Sequence, residues 1–136
     1  RDRSPSRGLG DVYKRQAGMS VIAAVFVGGG VGSVLRHFLS SQIGSHWGIM
    51  LVNVLGAMLI GMAAYFADRA DLRPETKAFV VTGLLGGFTT FSTYMLDFNL
   101  LLGSRRIYEA LFYLLGSVAV GIAFLAVGIK IAKMCF

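Results

Sequence analysis

The sequence predicts an all-α membrane protein of four transmembrane helices, with a break in the third. Three observations carry this prediction. Of the 136 residues, 55 % are hydrophobic and only 15 % charged, where a soluble domain averages about 25 % charged. The charges gather between four long apolar runs. One of those runs is interrupted by GLLGGFTTFSTYM at 83–95, which packs three glycines, four hydroxyl side chains and three aromatic rings into thirteen residues.

In chain order, the opening RDRSPSRGLGDVYKRQ holds five of the thirteen Lys and Arg and differs in composition from everything after Ala17. Residues 1–18 read as a non-native-looking or disordered tail, and 19–136 as one four-helix transmembrane domain with Met19 as a natural start. A cleaved signal peptide built from the tail and residues 21–35 is the competing reading. That stretch ends at Arg36-His37 without a small-residue cleavage site.

The first apolar run, Ser20–Leu35, is short without its flanks, since a helix needs about 20 residues to cross the hydrocarbon core. Ala24, Gly28 and Gly32 lie four apart on one face, where small residues let backbones approach, so this helix has a packed neighbour. The second run, Gly48–Phe66, carries Asn53 alone among apolar residues in IMLVNVLGAMLIG. An amide there must be satisfied; interhelical bonding is the default, and donation to a passing anion is the alternative.

The third run, Ala78–Leu102, holds the polar knot. A backbone group freed from its helix bond in lipid costs several kcal/mol, so a break at membrane depth survives only inside protein or beside a water-filled cavity. Gly83, Gly86 and Gly87 are expected to loosen the helix, and carbonyls exposed beside them can coordinate a cation. Thr89, Thr90, Ser92 and Thr93 offer hydroxyl donors, and Phe88, Phe91 and Tyr94 offer ring edges with partial positive charge, a set that suits a small anion. The plainer reading is that the hydroxyls bond back to their own helix. In the fourth run, Ile107–Ile129, Tyr113 and Ser117 share a face and extend a donor ladder or pack in the core.

The connections RHFLSSQIGSHW, ADRADLRPETK and GSRRIYE leave no room for a soluble domain. Four short helices bury little against one another, so an oligomer is expected. With four spans, Arg69, Arg73, Lys77, Lys130 and Lys133 fall on one side and Arg36, Arg105 and Arg106 on the other. Five against three is a weak bias that leaves both orientations open, and the tail would raise it to ten against three.

Several function classes are disfavoured. The net charge of +6 is not clustered with aromatics on a polar face, which argues against nucleic acid. Cys135 is alone, and two histidines with one cysteine match no metal-ligand spacing. An enzyme lacks a paired acid and base and a nucleophile with a histidine partner; His37 and His46 are expected near the interface as amphipathic anchors.

The strings GGVGSVLRHFL, VNVLGAMLIG and above all GGFTTFSTYMLD resemble the CrcB/Fluc family of fluoride ion channels, with similarity from about Met19 to the C-terminus. The resemblance implies four helices per subunit, a break in the third, and an antiparallel dual-topology dimer of this chain with itself or with a sister subunit. It implies two fluoride pores and a structural sodium ion at the dimer centre, in a multi-pass protein of the cell inner membrane or plasma membrane. Asn53 falls on the pore asparagine, Phe91 and Tyr94 on the two aromatics that contact fluoride by ring edge, and Gly86 and Thr89 on the carbonyl donors of the sodium site. Thr90, Ser92 and Thr93 complete the TTFST signature, Arg36 matches the arginine ending the first helix, and Tyr113 and Ser117 fit the polar face of the fourth.

Four positions depart from the family pattern: Tyr94 where phenylalanine is usual, Asp97 where glutamate is, Ile49 in place of a threonine, and Gly121 where the ladder would continue with serine. Ile49 and Gly121 each remove a donor, so a shorter polar track is expected. The implied mechanism is passive fluoride export that protects cytoplasmic enzymes. Two alternatives compete. A small multidrug-type exporter needs an embedded carboxylate in an early helix, and none is present; a structural or partner subunit is compatible with the polarity pattern alone.

Overall fold

The computed structural model describes residues 5–136. Part of the expected tail therefore lies outside the described residues, and from Pro5 onward the chain is drawn into the first helix. The helices are α1 (Pro5–Ile43), α2 (His46–Ala70), α3 (Pro74–Lys77), α4 (Gly86–Phe88), α5 (Phe91–Gly103) and α6 (Ile107–Cys135), with a π-helical stretch over Ala78–Leu85 between α3 and α4. Helices long and apolar enough to cross a membrane cover Gly8–Ile43, His46–Ala70, Pro74–Gly103 and Ile107–Cys135.

Each connection is tighter than the charge pattern suggests. α1 does not stop at Leu35 but carries Arg36 and His37 on to Ile43, where Gly44 at φ 72° turns the chain and Ser45 is extended before α2. α2 ends at Asp71, whose left-handed φ of 51° aims its N–H at the Ala67 carbonyl. Aspartate tolerates that conformation better than most side chains. Arg73 is extended, as a residue before proline must be, and Pro74 opens the third span. The turn into α6 uses Arg105 at φ 60°, with its N–H and that of Arg106 returning to Leu102 and Leu101.

Packing sorts the spans into two parallel pairs. α1 lies along the π-helical stretch and α4, and glycine makes this possible on both sides. A Cβ on Gly28 would sit 2.5 Å from the Phe79 carbonyl oxygen, and one on Gly32 would overlap that of Leu84. Conversely, a Cβ on Gly83 would meet the Val25 carbonyl at 3.0 Å and one on Gly87 the Gly29 carbonyl at 2.6 Å. These glycines serve close approach, and the break comes after them, at Thr89 and Thr90. The wide turns of the π stretch carry the third span along α1 to that point.

α2 and α6 form the second pair. Trp47 meets Tyr113 at one end and Phe66 meets Phe136 at the other, with ring centroids 6.0 and 4.6 Å apart. A Cβ on Gly61 would lie 2.6 Å from the Leu125 carbonyl oxygen, so this seam is also backbone-tight. Ile49, Tyr94, Leu101, Ala110 and Tyr113 form the buried core, flanked by Trp47, Met50, Met95, Phe98 and Leu114. Gly121, by contrast, has nothing within 4 Å of a built Cβ. Gly121→Ser is expected to leave thermal stability within about 0.5 kcal/mol of the parent; a loss several times larger would mean that this face is packed.

Candidate functional site

The break is a short extended segment between two helical pieces. Thr89 has φ −94° and ψ 156°, and Thr90 has φ −146° and ψ 124°. Extended backbone cannot continue the i to i−4 ladder, so each freed group must find another partner. The Thr90 N–H, which an unbroken helix would direct at the Gly86 carbonyl, donates to Asn53 Oδ1 at 2.8 Å. In return Asn53 Nδ2 donates to the Thr90 carbonyl at 3.0 Å. The Asn53 amide thus pairs with the Thr90 backbone much as a neighbouring strand would.

Other bonds complete the break. Thr90 Oγ1 caps α5 by accepting the Thr93 N–H at 3.4 Å. The Thr89 hydroxyl donates back to the Leu85 carbonyl at 3.3 Å, the local bonding expected as the plainer fate of such hydroxyls. From α1, Arg36 Nη1 donates to the carbonyls of Gly87 at 3.0 Å and Thr89 at 3.4 Å.

On the α2 and α6 side of the break lies an open cleft of about 340 Å³, lined by Asn53, Gly56, Ala57, Ile60, Thr89, Thr90, Phe91, Tyr94, Ser117 and Val118. It gathers residues from three spans, 64 positions apart at the extremes between Asn53 and Ser117 of its polar lining. The Ser117 hydroxyl is buried beside the Tyr94 hydroxyl and makes no hydrogen bond of good geometry among the described residues. Phe91 is 72 % exposed and Tyr94 buried, and the two rings meet edge to face with centroids 6.1 Å apart.

Some of the expected site residues stand elsewhere. Arg36 lies across the break from the cleft, Ser92 is exposed and Thr93 half-buried outside it. Tyr113 is fully buried behind Tyr94, ring centroids 5.2 Å apart, and its hydroxyl donates to Asp97 Oδ2 at 3.2 Å. The Tyr94 hydroxyl neither lines the cleft freely nor points to water; it donates to the Leu114 carbonyl of α6. Ile49 is part of the same core. Gly86 is exposed, while Thr89 and Gly87 are half-buried.

His46, at the first residue of α2, is held by aromatic neighbours. Its ring packs against Trp47 at 4.4 Å and edge-on to Tyr113 at 4.9 Å, and Nε2 lies 3.4 Å from Glu109 Oε1 without hydrogen-bond geometry. The sequence offered no periodicity linking His46 to Glu109, because they sit on different spans. Gly56 was also missed: a Cβ there would overlap the Thr89 methyl, so glycine leaves the space that the cleft occupies. Its position three residues after Asn53, on the same helix face, was a usable signal.

Comparison with known proteins bears on what this site does. The family described as "CrcB-like protein, Camphor Resistance (CrcB)" matches residues 23–129. The chain is similar to the fluoride-specific ion channel FluC of Aquifex aeolicus, 41 % identical over 117 residues that cover 81 % of this chain and 94 % of that protein. It is similar also to the FluC proteins of Rhodopseudomonas palustris, 38 % identical over 80 % of this chain and 94 % of that one, and of Methylobacterium, 39 % identical over 80 % and 93 %.

Proposed function

This chain belongs to the CrcB family, and from that premise we propose how its break and cleft conduct an anion. The protein is a multi-pass membrane channel for fluoride rather than an enzyme. Fluoride is small and strongly hydrated, so a pore must replace its water with equivalent donors, and a narrow donor-lined path rejects larger halides by size and field.

The observation that carries the reading is the cleft itself. It gathers the buried Ser117 hydroxyl, the Asn53 amide and the rings of Phe91 and Tyr94 around a single space at the depth of the break. The second Nδ2 hydrogen of Asn53 remains available there, since one is used on Thr90. The Phe91 edge and the Ser117 hydroxyl then replace successive waters, and Thr90, Ser92, Thr93 and Tyr113 support the segment rather than touch the ion. Flow is passive: an interior-negative membrane gives each departing anion about 2.3 kcal/mol per 100 mV. In the cell inner membrane or plasma membrane this exports fluoride.

Two copies in inverted orientation form the working channel. The exposure of Phe91 and Gly86 in a single chain supports this reading, because in one chain alone the ring offered to the ion and a carbonyl freed from its helix bond would face lipid. The carbonyls of Gly86 and Thr89 fit a structural sodium ion. The first has lost its helix donor to Asn53, and the second is turned out of the helix by its extended ψ. Hard oxygens from two chains would hold the cation, and its charge would offset the dipoles of two broken helices.

The test is fluoride efflux from liposomes loaded with fluoride or chloride, sodium present, started with a potassium ionophore and followed with an ion-selective electrode. Rapid fluoride release without chloride release is expected; no release from folded protein would remove the self-sufficient channel. Tyr94→Phe is expected to conduct, because the ring edge is kept. It should melt within about 1 kcal/mol of the parent, since the Leu114 carbonyl retains its own helix donor. Loss of flux on that change would assign the hydroxyl a direct part in conduction.

A further inference from the structure

Arg36 sits in a membrane-spanning helix with no carboxylate partner among the described ion pairs. A guanidinium there is costly, and in membranes such groups face protein and mark function. Its place is set by packing. Gly32 brings α1 against Leu84 and Phe88, and Arg36 follows one turn later, level with the break. Among the described residues its charge is met by carbonyl dipoles, those of Gly87 at 3.0 Å and Thr89 at 3.4 Å.

We propose that Arg36 is a positioning residue, a cation tethered to the chain that shares the Thr89 carbonyl with the sodium site and thereby weakens and tunes sodium binding. The inference rests on the sodium reading above. Two cations on one carbonyl oxygen repel, and in surroundings of low dielectric that repulsion is poorly screened. At the same time Arg36 holds the Gly87 and Thr89 carbonyls in the orientation the break requires, so a folded break does not need sodium to satisfy them. The guanidinium therefore trades cation affinity for a break that is already ordered.

The test is thermal unfolding of the full chain in lipid nanodiscs, titrated with sodium against N-methylglucamine. Arg36→Gln removes the charge but keeps an amide donor for Gly87. It is expected to lower the sodium concentration for half-maximal stabilisation at least tenfold, about 1.4 kcal/mol. Arg36→Lys keeps the charge and should stay within threefold of the parent. An Arg36→Gln protein that binds sodium no tighter than the parent overturns the role of Arg36 while leaving the sodium site intact. A parent protein whose unfolding ignores sodium removes the sodium reading itself, and this inference with it. Should Arg36→Gln fail to fold, the parent decides. The ¹⁵N guanidinium resonance of Arg36, identified by its loss in Arg36→Lys, should shift on sodium addition and not with N-methylglucamine. An unmoved resonance overturns the proposal.

Discussion

Asn53→Ala is expected to abolish fluoride flux and to destabilise the protein by roughly 2–5 kcal/mol. The amide at 53 is the only partner described for the N–H of Thr90, at 2.8 Å, and it gives the Thr90 carbonyl a donor at 3.0 Å beside the first helix bond of α5. Alanine leaves the Thr90 N–H unpaired and takes one donor from its carbonyl at membrane depth, where no bulk water can replace the lost bonds. The extended segment would then collapse toward a continuous helix or admit water, and either change dissolves the cleft that Asn53, Thr90 and Phe91 share. Asn53→Asp separates the two roles. It retains an acceptor for the Thr90 N–H but loses the donor and sets a negative charge against the passing anion, so flux should be lost although that N–H stays paired. The measurement is liposome efflux beside thermal unfolding in detergent. Flux from Asn53→Ala within twofold of the parent would show that the break holds without this amide.

Gly32→Val should be at least as damaging, through packing rather than polarity. A Cβ at Gly32 would overlap the Leu84 carbonyl oxygen and lie 2.9 Å from the Phe88 nitrogen, both backbone atoms that cannot rotate aside. α1 would have to move off the third span, carrying Arg36 away from Gly87 and Thr89. A loss above about 3 kcal/mol is expected, seen as failure to recover monodisperse protein or as a large fall in melting temperature. Gly30→Ala is the matched control, because nothing lies within 4 Å of its built Cβ. It should behave as the parent or slightly better, since alanine favours the helix by about 1 kcal/mol. Parental melting by Gly32→Val would mean that α1 and the third span are not in backbone contact.

The two cases differ in how visible they were in the sequence. Gly32 belongs to a small-residue spacing, and periodicity alone announced a close neighbour on that face. It did not announce which neighbour, nor that Gly83 and Gly87 would answer from the third span. Those same glycines read from sequence as helix-looseners. In the structure they are contact points, and the chain leaves the helix two residues after Gly87, where Thr89 and Thr90 have partners waiting in Arg36 and Asn53.

Hydropathy and the position of the polar knot determined the spans, their order, the interruption of the third and the candidate donors, because the cost of placing each residue in hydrocarbon is set by its own side chain. The tertiary structure decided everything that depends on a partner. It paired α1 with the third span and α2 with α6, withdrew the Tyr94 hydroxyl to Leu114, placed Tyr113 behind the cleft on Asp97, and set Arg36 on the opposite side of the break. Hydrogen bonds and close contacts are properties of pairs, and Asn53 and Thr90, 37 positions apart, meet only because two helices are first brought together by packing.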